Sequence, residues 1–172
     1  MLTLHLVRHA KASRDNPVDD HGRPLAPRGR RAAPAMARWM AAKGLAPELV
    51  LVSTARRCRE TWAGMQPEFP ARPAVEMEDG LYLASAAEIL ARLRRLPAHR
   101  REVMLIGHNP GLHELAVSLA GDGAAADRRQ LQEKFSTGAL ATLSSPDLGW
   151  TDLGPGRLSL VRFVRPADII EE

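Results

Sequence analysis

Apolar residues come in short runs that stop abruptly at polar ones. Thr3-Leu4-His5-Leu6-Val7 ends at Arg8-His9, the pattern of a buried strand. Leu49–Ser53 and Val103–Gly107 repeat it, and Pro73–Met77 suggests a shorter strand. Between these runs the period changes. Ala32, Ala35, Met36, Trp39 and Met40 recur at helical spacing within Arg28–Lys43, and Gly44 is a stop. Ala55–Met65 fits a second helix with an arginine-rich outer face. Ser85, with Glu88 three residues on, reads as the capping box of a helix to Leu96. Pro110 suits the first turn of a helix to Ala120. Lys11–Pro27 carries Asp15, Asn16, Pro17, Asp19, Asp20, Gly22, Pro24 and Pro27, which makes it a loop too long for a simple connection. Gly121–Ala126 reads as a small-residue turn. Ala139–Ser144 and Leu158–Val164 are two closing strands. Strands alternating with helices predict an α/β fold, a three-layer α/β/α sandwich around a mostly parallel central sheet. No repeat or linker interrupts it, so residues 1–172 read as a single domain.

Composition narrows the class. The 172 residues are 45% hydrophobic and 26% charged, ordinary for a globular chain and unlike a disordered or fibrous one. The lone Cys58 forms no internal disulfide, which excludes a disulfide scaffold. No stretch approaches the ~20 apolar residues of a membrane span, so no membrane partner is expected. Met1–Val7 has no basic segment before it and no small-residue cleavage site after it, so a cytoplasmic location is expected. The net charge is +4, and 21 of the 24 basic residues are arginines. These are either solvated helix faces or a means of attracting phosphate and carboxylate. Trp39, Trp62 and Trp150 are too scattered for a base-stacking platform, and no nucleic-acid partner is expected.

Three segments each follow a predicted strand: Arg8-His9-Ala10, Ser53–Thr61, and Gly107-His108-Asn109-Pro110-Gly111. In open α/β sheets the ligand crevice lies outside the carboxyl ends of the strands, so the three meet. They would bring together Arg8, His9, Arg56 or Arg57, and His108. Two guanidiniums hold a phosphoryl group with forked hydrogen bonds. A neutral imidazole between them attacks phosphorus, and a second histidine stabilises the charge in transit. With arginines neutralising that charge, neither a metal nor any other cofactor is required. His5 and His9 are spaced like zinc ligands on a helix. On a strand, four residues span ~13 Å, too far for one ion. Cys58 lacks the arginine six positions later that a cysteine phosphatase needs, because Gly64 stands there.

These residues also resemble a family. Leu6-Val7-Arg8-His9-Ala10 resembles the Arg-His signature of the histidine phosphatase superfamily, although Ala10 stands where glycine is usual. Ser53–Thr61 resembles its second signature, with Arg57 four residues after Ser53 and Thr61 four after that. This alignment selects Arg57 over Arg56. Ile106–Gly111 resembles the third, with His108. Arg23-Pro24-Leu25, Gly80–Ser85 and Phe135–Leu140 extend the likeness from about Leu4 to Pro166, in particular to the SixA-like phosphohistidine phosphatases.

The resemblance implies a phosphoglycerate mutase-like fold. It also implies a two-step reaction in which His9 becomes phosphorylated and water then hydrolyses it. Arg8, Arg57, His108 and Asn109 would bind the phosphoryl group. Of Glu76, Glu78 and Asp79, Glu78 is the expected proton donor, and the alternative is that all three are solvated strand-end carboxylates. The expected substrate is a phosphorylated protein of the histidine-phosphotransfer type. One rival is a small sugar phosphate or nucleotide hydrolysed by the same chemistry. The other is a non-catalytic module that binds a phosphorylated ligand. The oligomeric state is open.

Overall fold

The computed structural model describes residues 1–15 and 18–170. Asn16 and Pro17 of the expected loop lie outside the described residues. In chain order the elements are β1 (Leu2–Arg8), α1 (Pro27–Ala42), β2 (Leu49–Ser53), α2 (Arg56–Met65), β3 (Ala74–Glu78), α3 (Ala86–Arg94) and β4 (Glu102–Gly107). They continue with α4 (Gly111–Leu119), β5 (Ala120–Gly123), α5 (Ala125–Glu133), β6 (Leu140–Ser145), β7 (Leu158–Val164) and α6 (Pro166–Ile169). Among the described residues no helix is long and apolar enough to cross a membrane.

Among the described residues seven strands form one sheet, in the order β3-β2-β4-β1-β6-β7-β5. Only β6 runs against the rest, pairing antiparallel with both β1 and β7. The central strands are apolar on both faces because both faces are covered. Leu2, Leu4, Leu6, Leu51 and Leu105 point into one core with residues of α3, α4 and α5. Val7, Val50, Val52, Met104 and Ile106 point into the other, against α1 and α2. The sheet is therefore the middle of three layers, as the alternating pattern required.

Two departures from the sequence reading share a physical cause. The expected turn at Gly121–Ala126 is instead edge strand β5 and the first residues of α5. Ala-Gly-Asp-Gly has almost no side chain to signal a strand. Its pairing with β7 is made by backbone alone, over a register shift. In α5 only Leu131 is buried, so the apolar stripe that marks a helix is missing. By contrast the Ser85–Glu88 capping box forms in both directions, at 3.1 and 3.2 Å.

His5, on β1, is fully buried. Its Nδ1 is 2.9 Å from Thr142 Oγ1 and its Nε2 is 2.9 Å from Glu102 Oε2. Both ring nitrogens are thus satisfied inside the fold, a structural assignment for this histidine.

One close approach holds two site-bearing segments together. A Cβ on Gly111 would lie 2.0 Å from Ala84 O. The start of α4, just past His108, packs directly on the backbone that follows Tyr82. Gly111→Ala should therefore cost about 1–3 kcal/mol of stability, the usual range for overpacking a rigid contact. Urea denaturation of the two proteins measures it, and an unchanged midpoint would mean that the two segments part without strain.

Candidate functional site

The carboxyl ends of β1, β2 and β4 lie side by side, and their following segments converge. β1 hands over to Arg8 and His9 under backbone control: His9 N donates to Gly107 O at 3.1 Å and Arg8 N to Ala139 O at 3.2 Å. Gly138, at φ 76°, turns its N–H onto the carbonyls of Arg8 and His9, both at 3.0 Å. This left-handed position suits glycine. Ala10 N donates to Thr61 Oγ1, whose hydroxyl donates to Arg57 O. The threonine of the second signature therefore ties the first turn of α2 to the end of β1.

The resulting cavity holds about 160 Å³ and is lined by Arg8, His9, Arg57, His108 and Asn109, with Lys11, Arg14, Arg23 and Thr137 toward its rim. His9 Nδ1 is 2.8 Å from Ala10 O. A carbonyl only accepts, so Nδ1 carries the proton and Nε2 keeps its lone pair. Burial, reinforced by the charges of His108, Arg57 and Arg8, pulls the His9 pKa down to about 3. At neutral pH the imidazole is uncharged and nucleophilic.

His108 faces it, with ring centroids 5.4 Å apart. Its Nδ1 is 3.3 Å from Arg57 Nη2 and its Nε2 is 2.7 Å from Ser53 Oγ. A guanidinium cannot accept, so Nδ1 is the acceptor and Nε2 carries the proton toward Ser53. Burial first, then Arg57, lowers the His108 pKa to about 4. Cys58 also packs on this ring, Sγ 3.5 Å from Nε2. Cys58 is fully buried, more than a small helix-face residue need be, and burial pushes its thiol up to about 12. It is a neutral wall of the site.

Arg57 is nearly inaccessible, its side chain 4% exposed, whereas the Arg56 side chain is 47% exposed and pairs with Glu60. Arg57 Nη1 donates to Asp20 O at 2.7 Å and Nη2 to Asp20 Oδ2 at 3.1 Å. Arg8 Nη1 donates to Phe135 O at 3.1 Å, and the Asn109 amide donates to the same oxygen at 2.9 Å. One carbonyl thus anchors both residues. The Nε atoms of Arg8 and Arg57 are buried without a protein acceptor. Each is a buried donor left without a partner.

The structure brings Arg8, His9, Arg57, His108 and Asn109 together, but not Glu78. Glu78 Oε1 accepts from Arg92 Nε at 2.6 Å, and the side chain lines a separate depression with Arg92 and Glu88. Two residues that sequence reasoning passed over stand closer. Asp20 Oδ2 accepts from the Tyr82 hydroxyl as well as from Arg57, and Oδ1 accepts from Arg23. Those donors, Tyr82 foremost, hold the Asp20 carboxyl well below the usual range, so it stays ionised. Tyr82 packs edge-on against His108 with centroids 5.5 Å apart. Asp20 was hidden in an Asp-rich loop. Tyr82 was visible only as part of the Gly80–Ser85 likeness.

Known proteins resemble this chain in sequence and in fold. Residues 4–82 match the sequence profile of the histidine phosphatase superfamily (branch 1). An uncharacterized protein of Mycobacterium tuberculosis (strain H37Rv) is 37% identical over 164 residues, covering 93% of this chain and 99% of its own. A structure from Nakamurella multipartitia, named as a "putative phosphohistidine phosphatase SixA", superposes with a TM-score of 0.82 at 32% identity, over 96% of each chain. Another so named, from Agrobacterium tumefaciens, gives 0.81 at 29% identity, over 96% of this chain and 98% of its own.

Proposed function

Because the chain belongs to the histidine phosphatase superfamily, we propose that it is a phosphatase acting on phosphohistidine in a protein through a phosphorylated His9. The observation that carries this reading is the Nδ1–H to Ala10 O bond, which leaves the His9 Nε2 lone pair free in a cavity walled by guanidiniums. Nε2 attacks phosphorus in line, and the bond from phosphorus to the leaving nitrogen breaks. The lost electron pair stays on that nitrogen. Arg8 and Arg57 bind the equatorial oxygens as their charge grows, and His108 joins them only when its Nδ1, which now accepts from Arg57, takes up a proton. Water then attacks the phosphorus of phospho-His9, releasing orthophosphate and restoring the imidazole.

The surrounding carboxylates favour a phosphoramidate over an alkyl ester. A departing alkoxide must be protonated by an acid. The leaving imidazole of phosphohistidine, protonated on its other nitrogen, departs neutral. Asp20 is held ionised by Tyr82, Arg23 and Arg57, and Glu78 is taken by Arg92. Neither is set to donate a proton in this arrangement, so Glu78 would act only if it left Arg92. Charge neutralisation by Arg8 and Arg57 also makes a metal unnecessary, and a cytoplasmic setting suits a phosphotransfer protein as substrate.

The test is a substrate panel at matched concentrations: a phosphohistidine phosphotransfer protein, sugar phosphates and nucleotides, each with and without EDTA. The expected result is kcat/KM at least ten times higher on the phosphoprotein and no loss with chelator. Faster turnover of a sugar phosphate or nucleotide would make the protein a phosphomonoesterase. Binding without turnover would make it a recognition module. Loss of activity in EDTA would overturn the metal-free mechanism.

A further inference from the structure

The cavity carries more positive charge than one phosphoryl group requires. Arg8 and Arg57 suffice for a dianion, yet Lys11, Arg14 and Arg23 line the same cavity, and among the described residues no carboxylate lines it. Arg23 is fixed in place, its Nε donating to Ser13 O at 3.1 Å and its Nη1 to Asp20 Oδ1 at 3.0 Å. Lys11 and Arg14 are exposed, and among the described residues neither has an ion-pair partner. Asp20 balances only one of these charges, pairing with both Arg23 and Arg57, and the remaining cations repel one another unless an anion relieves them.

Resting on the phosphatase reading above, we propose that Lys11, Arg14 and Arg23 form an outer subsite for a second anionic group of the substrate, a carboxylate or phosphate adjoining the transferring phosphoryl group. Such a group would be drawn in by the field of five cations set against the single charge of Asp20, and oriented by the fixed Arg23 guanidinium. The subsite selects substrates that are anionic beyond the reacting centre. A phosphohistidine flanked by acidic side chains offers this chemistry, and so does a small ester bearing a carboxylate.

Kinetic and binding measurements test the subsite separately from the chemistry. In the kinetic arm, 4-carboxyphenyl phosphate is compared with its neutral carboxamide, and a phosphohistidine peptide with flanking Glu is compared with its Gln counterpart. In the binding arm, methylenediphosphonate is compared with methylphosphonate by calorimetry. The expected result for the unaltered protein is a preference of about 5–10-fold for the additional anion, falling toward unity in K11Q/R14Q and fading as salt is raised. The pair that shows the larger kinetic preference identifies the source of the anion as protein or small molecule. A ratio near unity in the unaltered protein, or one that survives K11Q/R14Q, overturns the proposal. If no ester or peptide is turned over but the diphosphonate preference holds and depends on Lys11 and Arg14, the phosphatase reading fails and the subsite stands.

Discussion

His9→Ala is expected to lower turnover by on the order of 10⁴-fold or more while leaving the fold in place. The Nε2 lone pair is the nucleophile, and no other neutral imidazole in the cavity is free to replace it. His108 donates through Nε2 to Ser53 and accepts from Arg57 through Nδ1. The structural cost is small. The side chain caps the end of β1 and is not part of either apolar core, and its removal leaves only Ala10 O without its partner. A buried carbonyl left so costs about 1–3 kcal/mol, which thermal denaturation would read as a modest shift. Rapid-quench labelling with a radioactive phosphohistidine protein should trap an adduct on the unaltered enzyme and none on His9→Ala. The adduct should be acid-labile and base-stable, as a phosphoramidate is. An acid-stable adduct, or turnover within tenfold of the unaltered enzyme, would remove His9 as nucleophile.

What the sequence revealed about this site, and what it hid, divides along one physical line. His9, His108 and Arg57 were legible because each follows a buried apolar run, and parallel strands must deliver their carboxyl ends to one edge. The three layers were legible because β1, β2 and β4 are apolar on both faces. Asp20 and Tyr82 were not legible. Their positions are set by contacts 62 residues apart in the chain, the Tyr82 hydroxyl on Asp20, with Asp20 in turn on Arg57. An Asp among several in a loop shows no periodicity, and no spacing rule links it to a tyrosine beyond α2 and β3. Glu78 shows the converse. Its place at the end of β3 was predicted, but its partner was not: Arg92, one of two basic residues in the last turn of α3, reaches back to both Glu78 and Glu76. Strand placement fixes where a side chain starts, and neighbouring charges decide where it ends.

The contrast between adjacent arginines is the sharpest check on that placement. Arg57→Ala should lower kcat/KM by roughly 10²–10⁴-fold. Two charge-assisted hydrogen bonds to the phosphoryl group at about 1.5–3 kcal/mol each amount to about 3–6 kcal/mol. The loss has a second part, because Arg57 also holds Asp20 and faces His108 Nδ1. Without the guanidinium, Asp20 keeps only Arg23 as a counter-charge, and its negative charge is less balanced beside the incoming phosphoryl group. Arg56→Ala should change kcat/KM less than twofold, since it breaks only an exposed pair with Glu60, of a kind worth about 0–1 kcal/mol. Arg57→Lys separates charge from geometry. An ammonium keeps the charge but not the fork that spans Asp20 and the phosphoryl group, so it should recover part of the lost activity. Steady-state kinetics of the three variants, with melting curves to confirm folding, decide the matter. Equal losses in Arg56→Ala and Arg57→Ala would place the phosphate ligand one residue away from where α2 presents it, and full recovery in Arg57→Lys would show that charge alone was needed there.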